Sequence, residues 1–258
     1  NEKLRSIPMS QSIKSTVWTL QGRVSASLEV YLLGTVDFDA AMVLQERLVD
    51  EIAGRSDRLG ALIICEHPPV VTIGQDGRIT DLPVDTTDFT ARMMEIRRVN
   101  RSGGTLVHAP GQLAAYAILP LERLNCTFDE FRHRLQDAII ATSAEQRVPS
   151  QTTEHPQGTN CRCGQLSWIG AAARDGVSHH GLFLNVSPAL DVVRLVQSAA
   201  ERNRIASLSM QRMEPVPMHK VREALMQHLS SQFGYNETHP YTGHPLLERT
   251  WRKVIQHA

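Results

Sequence analysis

Short apolar runs that alternate with segments of helical period do most to restrict how this 258-residue chain can fold. Residues 28–33 (LEVYLL) predict a strand closed by Gly34. Asp37 is placed to cap a helix whose apolar positions Ala40, Val43, Leu44, Leu48 and Ile52 repeat at close to 3.6 residues. Residues 61–65 (ALIIC) are apolar throughout, as a strand covered on both faces is. The dipeptide Pro68-Pro69 breaks that run before residues 70–73 resume extended structure. A short helix is expected at 89–94 and strands at 96–99 and 113–119. Phe128, Phe131, Leu135, Ile139 and Ile140 mark an amphipathic helix over 128–144. Residues 166–172 and 181–186 read as paired strands joined by the turn Arg174-Asp175-Gly176. Pro217 suits the first position of a helix running to Phe233. Strands and helices interleave with no repeat and no linker, which predicts one α/β domain built on a mixed α+β sheet over residues 27–258. Residues 1–26, rich in Ser, Gln and Thr, are expected to be a poorly ordered lead-in.

Charge narrows the partners. The 27 basic and 27 acidic side chains cancel, so no global field draws in nucleic acid or an anionic membrane, and neither is expected as a partner. No apolar run approaches the roughly 20 residues that span a bilayer. With no signal-like N-terminus and four cysteines in a chain too large to need disulfide staples, a cytoplasmic protein with reduced thiols is expected. Only Lys3, Lys14, Lys220 and Lys253 are lysines, so residues 15–219 contain none.

Four segments carry candidate chemistry. In Arg101-Ser102-Gly103-Gly104-Thr105-Leu106-Val107-His108-Ala109-Pro110-Gly111-Gln112, adjacent glycines let the backbone approach a ligand, and His108 can donate, accept or shuttle a proton. The same glycines serve equally well in a tight strand connection. GQLSWIG at 164–170 and HHGLFLNV at 179–186 can line a pocket or simply end two strands. Cys161-x-Cys163 with His155 nearby raises the question of zinc, but the spacer is short and a second ligand pair is missing, so no metal is expected. Cys65 reads as a small core residue.

Together with EHPPVVTIG at 66–74, these blocks resemble the lipoyl(octanoyl) transferase family, also called lipoate-protein ligase B, over roughly residues 28–210. The resemblance implies the catalytic-domain fold of the biotin and lipoate protein ligases, no cofactor, and transfer of octanoyl from acyl carrier protein to a lysine of a lipoyl domain. It implies an acyl chain as ligand, bound by Arg101, Ser102, Gly103, Gly104, Thr105, Leu106, Val107 and His108. The family's second and third binding strips fall on Trp168, Ile169 and Gly170, and on His180, Gly181 and Leu182. Ser102 and Ala109 stand where the family usually has glycine.

The family's cysteine nucleophile falls on Ser198 or Ala199, and its thiol-activating lysine falls on Gln165. No cysteine follows Cys163, and no lysine lies within reach in sequence. A serine hydroxyl attacks only with an adjacent base, and glutamine supplies no charge to stabilise a thiolate. Three readings follow: an acyltransferase working by another route, such as Ser198 with His108 or His180 as base, or direct attack by the acceptor lysine; a non-catalytic binder of acyl chains, acyl carrier protein or lipoyl domains; or an ATP-using ligase, which the missing lysine disfavours.

Overall fold

A computed structural model describes residues 26–82, 94–196 and 205–247 of the chain. The expected lead-in lies, apart from Ala26, outside the described residues, as does the expected helix at 89–94 except for Met94, which is not helical. In chain order the elements are β1 (Ser27–Thr35), α1 (Phe38–Ala53), β2 (Gly60–Glu66), β3 (Val70–Ile73), β4 (Glu95–Arg98), β5 (Thr105–His108), β6 (Gln112–Ile118), α2 (Phe128–Glu145), β7 (Gln151–Glu154), β8 (Gln157–Cys161), β9 (Gly164–Arg174), β10 (Val177–Asn185), α3 (Leu190–Val193), α4 (Leu208–Arg212), α5 (Met218–Gln232) and β11 (Glu237–Thr242).

Local chemistry explains several of the boundaries. Asp37 accepts from the Ala40 amide and starts α1. Thr127 and Glu130 form a reciprocal capping box that starts α2. Pro217 precedes α5 as its N-cap rather than opening it, one residue earlier than expected. The hairpin β7–β8 and the edge strand β11 carry too few apolar residues to show a period-2 signal.

Eight strands form one mixed sheet in the order β11-β1-β2-β6-β10-β9-β8-β7, and β4-β3-β5 form a second, three-stranded sheet. β1 runs parallel to β11 and β2, while the other pairs of the large sheet are antiparallel. Alternation along β6 divides the interior into two cores. Leu113, Ala115 and Ala117 join Phe131 and Leu135 of α2 and Val221 and Leu225 of α5. Ala114, Tyr116 and Ile118 join Leu44 and Leu48 of α1 and Val71 and Val107 of the small sheet. Because both faces are covered, every residue of β6 is buried. Among the described residues, no helix is long and apolar enough to cross a membrane.

Candidate functional site

The glycine-bearing loop between β4 and β5 is held on two sides. The Gln75, Asp76 and Gly74 amides donate to the carbonyls of Arg101, Gly103 and Gly104, and the Gly103 amide donates to the Asp76 carboxylate at 2.9 Å. On the other side Ser102 exchanges hydrogen bonds with Ala171 of β9: its amide donates to the Ala171 carbonyl at 2.9 Å, and its hydroxyl accepts from the Ala171 amide at 3.1 Å. The Ser102 side chain thus fixes the loop to the sheet. Gly103 has φ +84°, a conformation that favours glycine.

Arg101 is 1% exposed, and among the described residues its guanidinium faces no carboxylate at hydrogen-bond distance. Nη1 donates to the Ser102 carbonyl at 3.0 Å, and Nη2 donates to the Thr72 carbonyl and hydroxyl at 3.1 and 2.8 Å. Its buried Nε finds no acceptor among the described residues. Burial lowers the Arg101 pKa to about 10, which leaves it charged at neutral pH.

From Arg101 a directed chain of buried hydrogen bonds crosses the core. Gln112 Nε2 donates to the Val107 carbonyl and to Asn185 Oδ1, so its Oε1 is the acceptor for His108 Nδ1 at 2.9 Å. His108 therefore carries its proton on Nδ1, and its bare Nε2 accepts from the Thr72 hydroxyl at 2.8 Å. Asn185 Nδ2 closes the chain on the Ala206 carbonyl at 3.0 Å. Burial, with the nearby His67 imidazole and the charged Arg101, holds His108 well below the usual imidazole range. The same accounting applies to His67. Its Nδ1 donates to the Val36 carbonyl at 2.9 Å, its Nε2 accepts from Tyr116 at 2.6 Å, and burial lowers its pKa to about 4.

A cavity of about 930 Å³ opens over this floor, large enough for a drug-sized ligand. Arg101, Ser102, Gly103, Gly104, Thr105, Leu106 and Val107 line it, with Trp168 and Ile169 opposite. Val193, Val196 and Ile205 complete the apolar part, while Asp76, Arg132, Glu154 and His155 add charged and polar groups.

Other expected site residues lie elsewhere. His108 sits beneath the cavity, with both ring nitrogens bonded to core partners. Gly170 leaves the lining because its missing side chain makes room for Arg101: a Cβ there would stand 2.8 Å from Arg101 Cδ. The expected third strip lies away from this cavity as well. Gly181 pairs with Gly170 and Leu182 with Ile169 on adjacent strands, yet His180, Gly181 and Leu182 do not line this cavity. Strand alternation sends Leu182 into the opposite core. Gly181 lets the Ala115 carbonyl approach to 2.2 Å from where a Cβ would stand. His180, lowered to about 3 by burial, lines a separate cleft of about 340 Å³ against α1. Neither His108 nor His180 is therefore a base facing the cavity.

Gln165 lines the cavity, and its amide donates to the Ser167 carbonyl at 2.6 Å and the Thr153 hydroxyl at 3.2 Å. Ser198 and Ala199 lie outside the described residues. The residues flanking their segment, Val196 and Ile205, both line the cavity, and the Ala206 amide donates to the Gln165 carbonyl at 2.8 Å. Among the described residues no cysteine or lysine lines the cavity, and no cluster of three His, Cys, Asp or Glu is placed to hold a metal. Burial raises the Cys65, Cys126 and Cys161 thiols, away from the reactive thiolate form. Sequence reading missed Thr72, Gln112 and Asn185 as site supports. All three lay inside the family-like blocks, as polar residues set in buried strands.

The chain matches the model of the lipoyl protein ligase A/B catalytic domain over residues 37–230. It is similar to the octanoyltransferase of Syntrophotalea carbinolica, 32% identical over 205 residues that cover 79% of this chain and 93% of that protein. The octanoyltransferase of Geotalea uraniireducens is 34% identical over 155 residues, covering 60% and 69%. That of Chloroflexus aggregans is 30% identical over 212 residues, covering 80% and 95%. Among solved structures, lipoate-protein ligase A bound with ATP superposes with a TM-score of 0.70 at 15% identity, covering 89% of this chain and 94% of that one. A bi-partite lipoate protein ligase from Thermoplasma acidophilum gives 0.68 at 16%, covering 89% and 92%. Both likenesses establish the lipoate-ligase fold.

Proposed function

Because the chain belongs to the lipoyl protein ligase A/B catalytic-domain family, we propose that it moves octanoyl from acyl carrier protein to a lipoyl-domain lysine, with no acyl-enzyme on cysteine. Residues 27–258 act as a single octanoyltransferase-like domain. The observation that carries this reading is the cavity itself. Arg101–Val107 with Trp168 and Ile169 offers an acyl-sized space next to a buried, charged guanidinium, and neither thiol nor lysine lines it among the described residues.

The acyl thioester lies between the loop and Trp168, and the acceptor amine attacks it directly. Positioning of this kind converts a bimolecular aminolysis into a near-unimolecular step. The ATP-using reading is disfavoured because no lysine lies between Lys14 and Lys220. The non-catalytic alternative draws on Gln165, whose amide is already committed to Ser167 and Thr153.

The deciding experiment incubates octanoyl-acyl carrier protein with an apo lipoyl domain and follows the domain's mass. An octanoyl increment that depends on the protein supports transfer. Bound octanoyl thioester with no increment leaves only the binding role.

A further inference from the structure

We propose that His155 is the general base of the transfer and that Gln165 positions it, an inference that rests on the cysteine-free transfer proposed above. Direct aminolysis concentrates its proton transfers in a single step. The acceptor nitrogen must lose a proton as the C–N bond forms, and the departing sulfur must gain one. A side chain with a reference pKa near neutrality serves both halves of that exchange, and histidine alone offers one.

The buried imidazoles are excluded by geometry. His67 and His108 spend both ring nitrogens in the core, and His180 faces a different cleft. His155 is the one histidine among the described residues that lines the cavity, and it is exposed. The charged groups sharing that cavity are Glu154 beside it, Arg132 from α2, Arg101 from the loop and Asp76 from the turn after β3.

The turn that carries His155 is tied down from two elements. Gln136 of α2, fully buried, donates to the Thr153 and Gly158 carbonyls at 3.0 and 2.9 Å. From β9, Gln165 Nε2 donates to the Thr153 hydroxyl at 3.2 Å, which donates on to the Pro156 carbonyl at 2.8 Å. The residue at the family's lysine position is thus spent on holding the hairpin of a histidine. In the step itself, the lysine amine of the acceptor attacks the thioester carbon and His155 takes the nitrogen's proton. As the tetrahedral adduct collapses the C–S bond breaks, and His155 returns that proton to the carrier thiolate, leaving amide, thiol and free imidazole.

The test compares wild type with His155→Gln and Gln165→Met in the octanoyl transfer assay from about pH 5 to 9. For His155→Gln the expected result is a kcat about 100-fold lower, with KM little changed and loss of the rising limb of the pH profile. Added imidazole is expected to restore rate to His155→Ala. Gln165→Met is expected to lower kcat while keeping the limb, as a positioning role requires. Since His155 is exposed, unchanged thermal melts separate these effects from misfolding. Wild-type transfer matched within about threefold by His155→Gln, with the same pH profile, overturns the assignment but leaves cysteine-free transfer standing. A wild type that retains octanoyl thioester yet transfers nothing overturns both.

Discussion

Thr72→Val tests whether the buried chain from Arg101 to Ala206 holds the site together. The Thr72 hydroxyl accepts from Arg101 Nη2 at 2.8 Å and donates to His108 Nε2 at 2.8 Å, in a position with no solvent exposure. Valine keeps the shape and removes both bonds. A hydrogen bond to a charged group contributes about 1.5–3 kcal/mol, and stranding the His108 lone pair costs about 1–3 kcal/mol more. Arg101 Nη2 keeps the Thr72 carbonyl at 3.1 Å, which offsets part of the loss. The expected net destabilisation is therefore about 2–4 kcal/mol, at the upper end for a single substitution. Thr72→Ser keeps the hydroxyl and loses one methyl, at about 1 kcal/mol. The assay is urea unfolding at neutral pH, comparing midpoints at constant slope. A Thr72→Val protein no less stable than Thr72→Ser would refute the claim that the chain is energetically coupled.

Acid should weaken the fold through its buried histidines. The folded-state pKa values of His67 and His180, about 4 and about 3, lie below the ordinary imidazole value, and His108 also lies well below it. The unfolded chain therefore binds protons first, and stability is lost as pH falls from about 6.5 toward those values. His67 and His180 each contribute about 2 kcal/mol of loss by pH 5, and unfolding curves that coincide at pH 7 and 5 would contradict this. Thiol alkylation should leave octanoyl transfer largely unchanged, because no cysteine lines the cavity among the described residues; loss of turnover would point to Cys161 or Cys163. Gly181→Ala should cost about 3 kcal/mol or more, since its Cβ would meet the Ala115 carbonyl at 2.2 Å, whereas Gly104→Ala, with open space around it, should change stability by less than about 0.5 kcal/mol in a thermal melt.

Local physics was enough to make most of the fold legible. Asp37 capping α1, the 3.6-residue pattern of α2, and the apolar runs of β2 and β6 depend on neighbours in sequence, so the amino-acid order alone determined them. The same holds for the supply of thiols and amines: no cysteine follows Cys163, and no lysine falls between Lys14 and Lys220. The contents of the site were a tertiary matter. His108 and Leu106 are two residues apart, yet Leu106 lines the cavity while His108 is locked beneath it by Thr72 and Gln112. His155 stood out in the sequence only as a neighbour of two cysteines. It reaches the cavity because Gln136 and Gln165, from a helix and a strand on either side of it in sequence, fix its hairpin there. Where a polar group ends up depends on which distant donor or acceptor satisfies it once water is gone, and the folded packing alone decides that pairing.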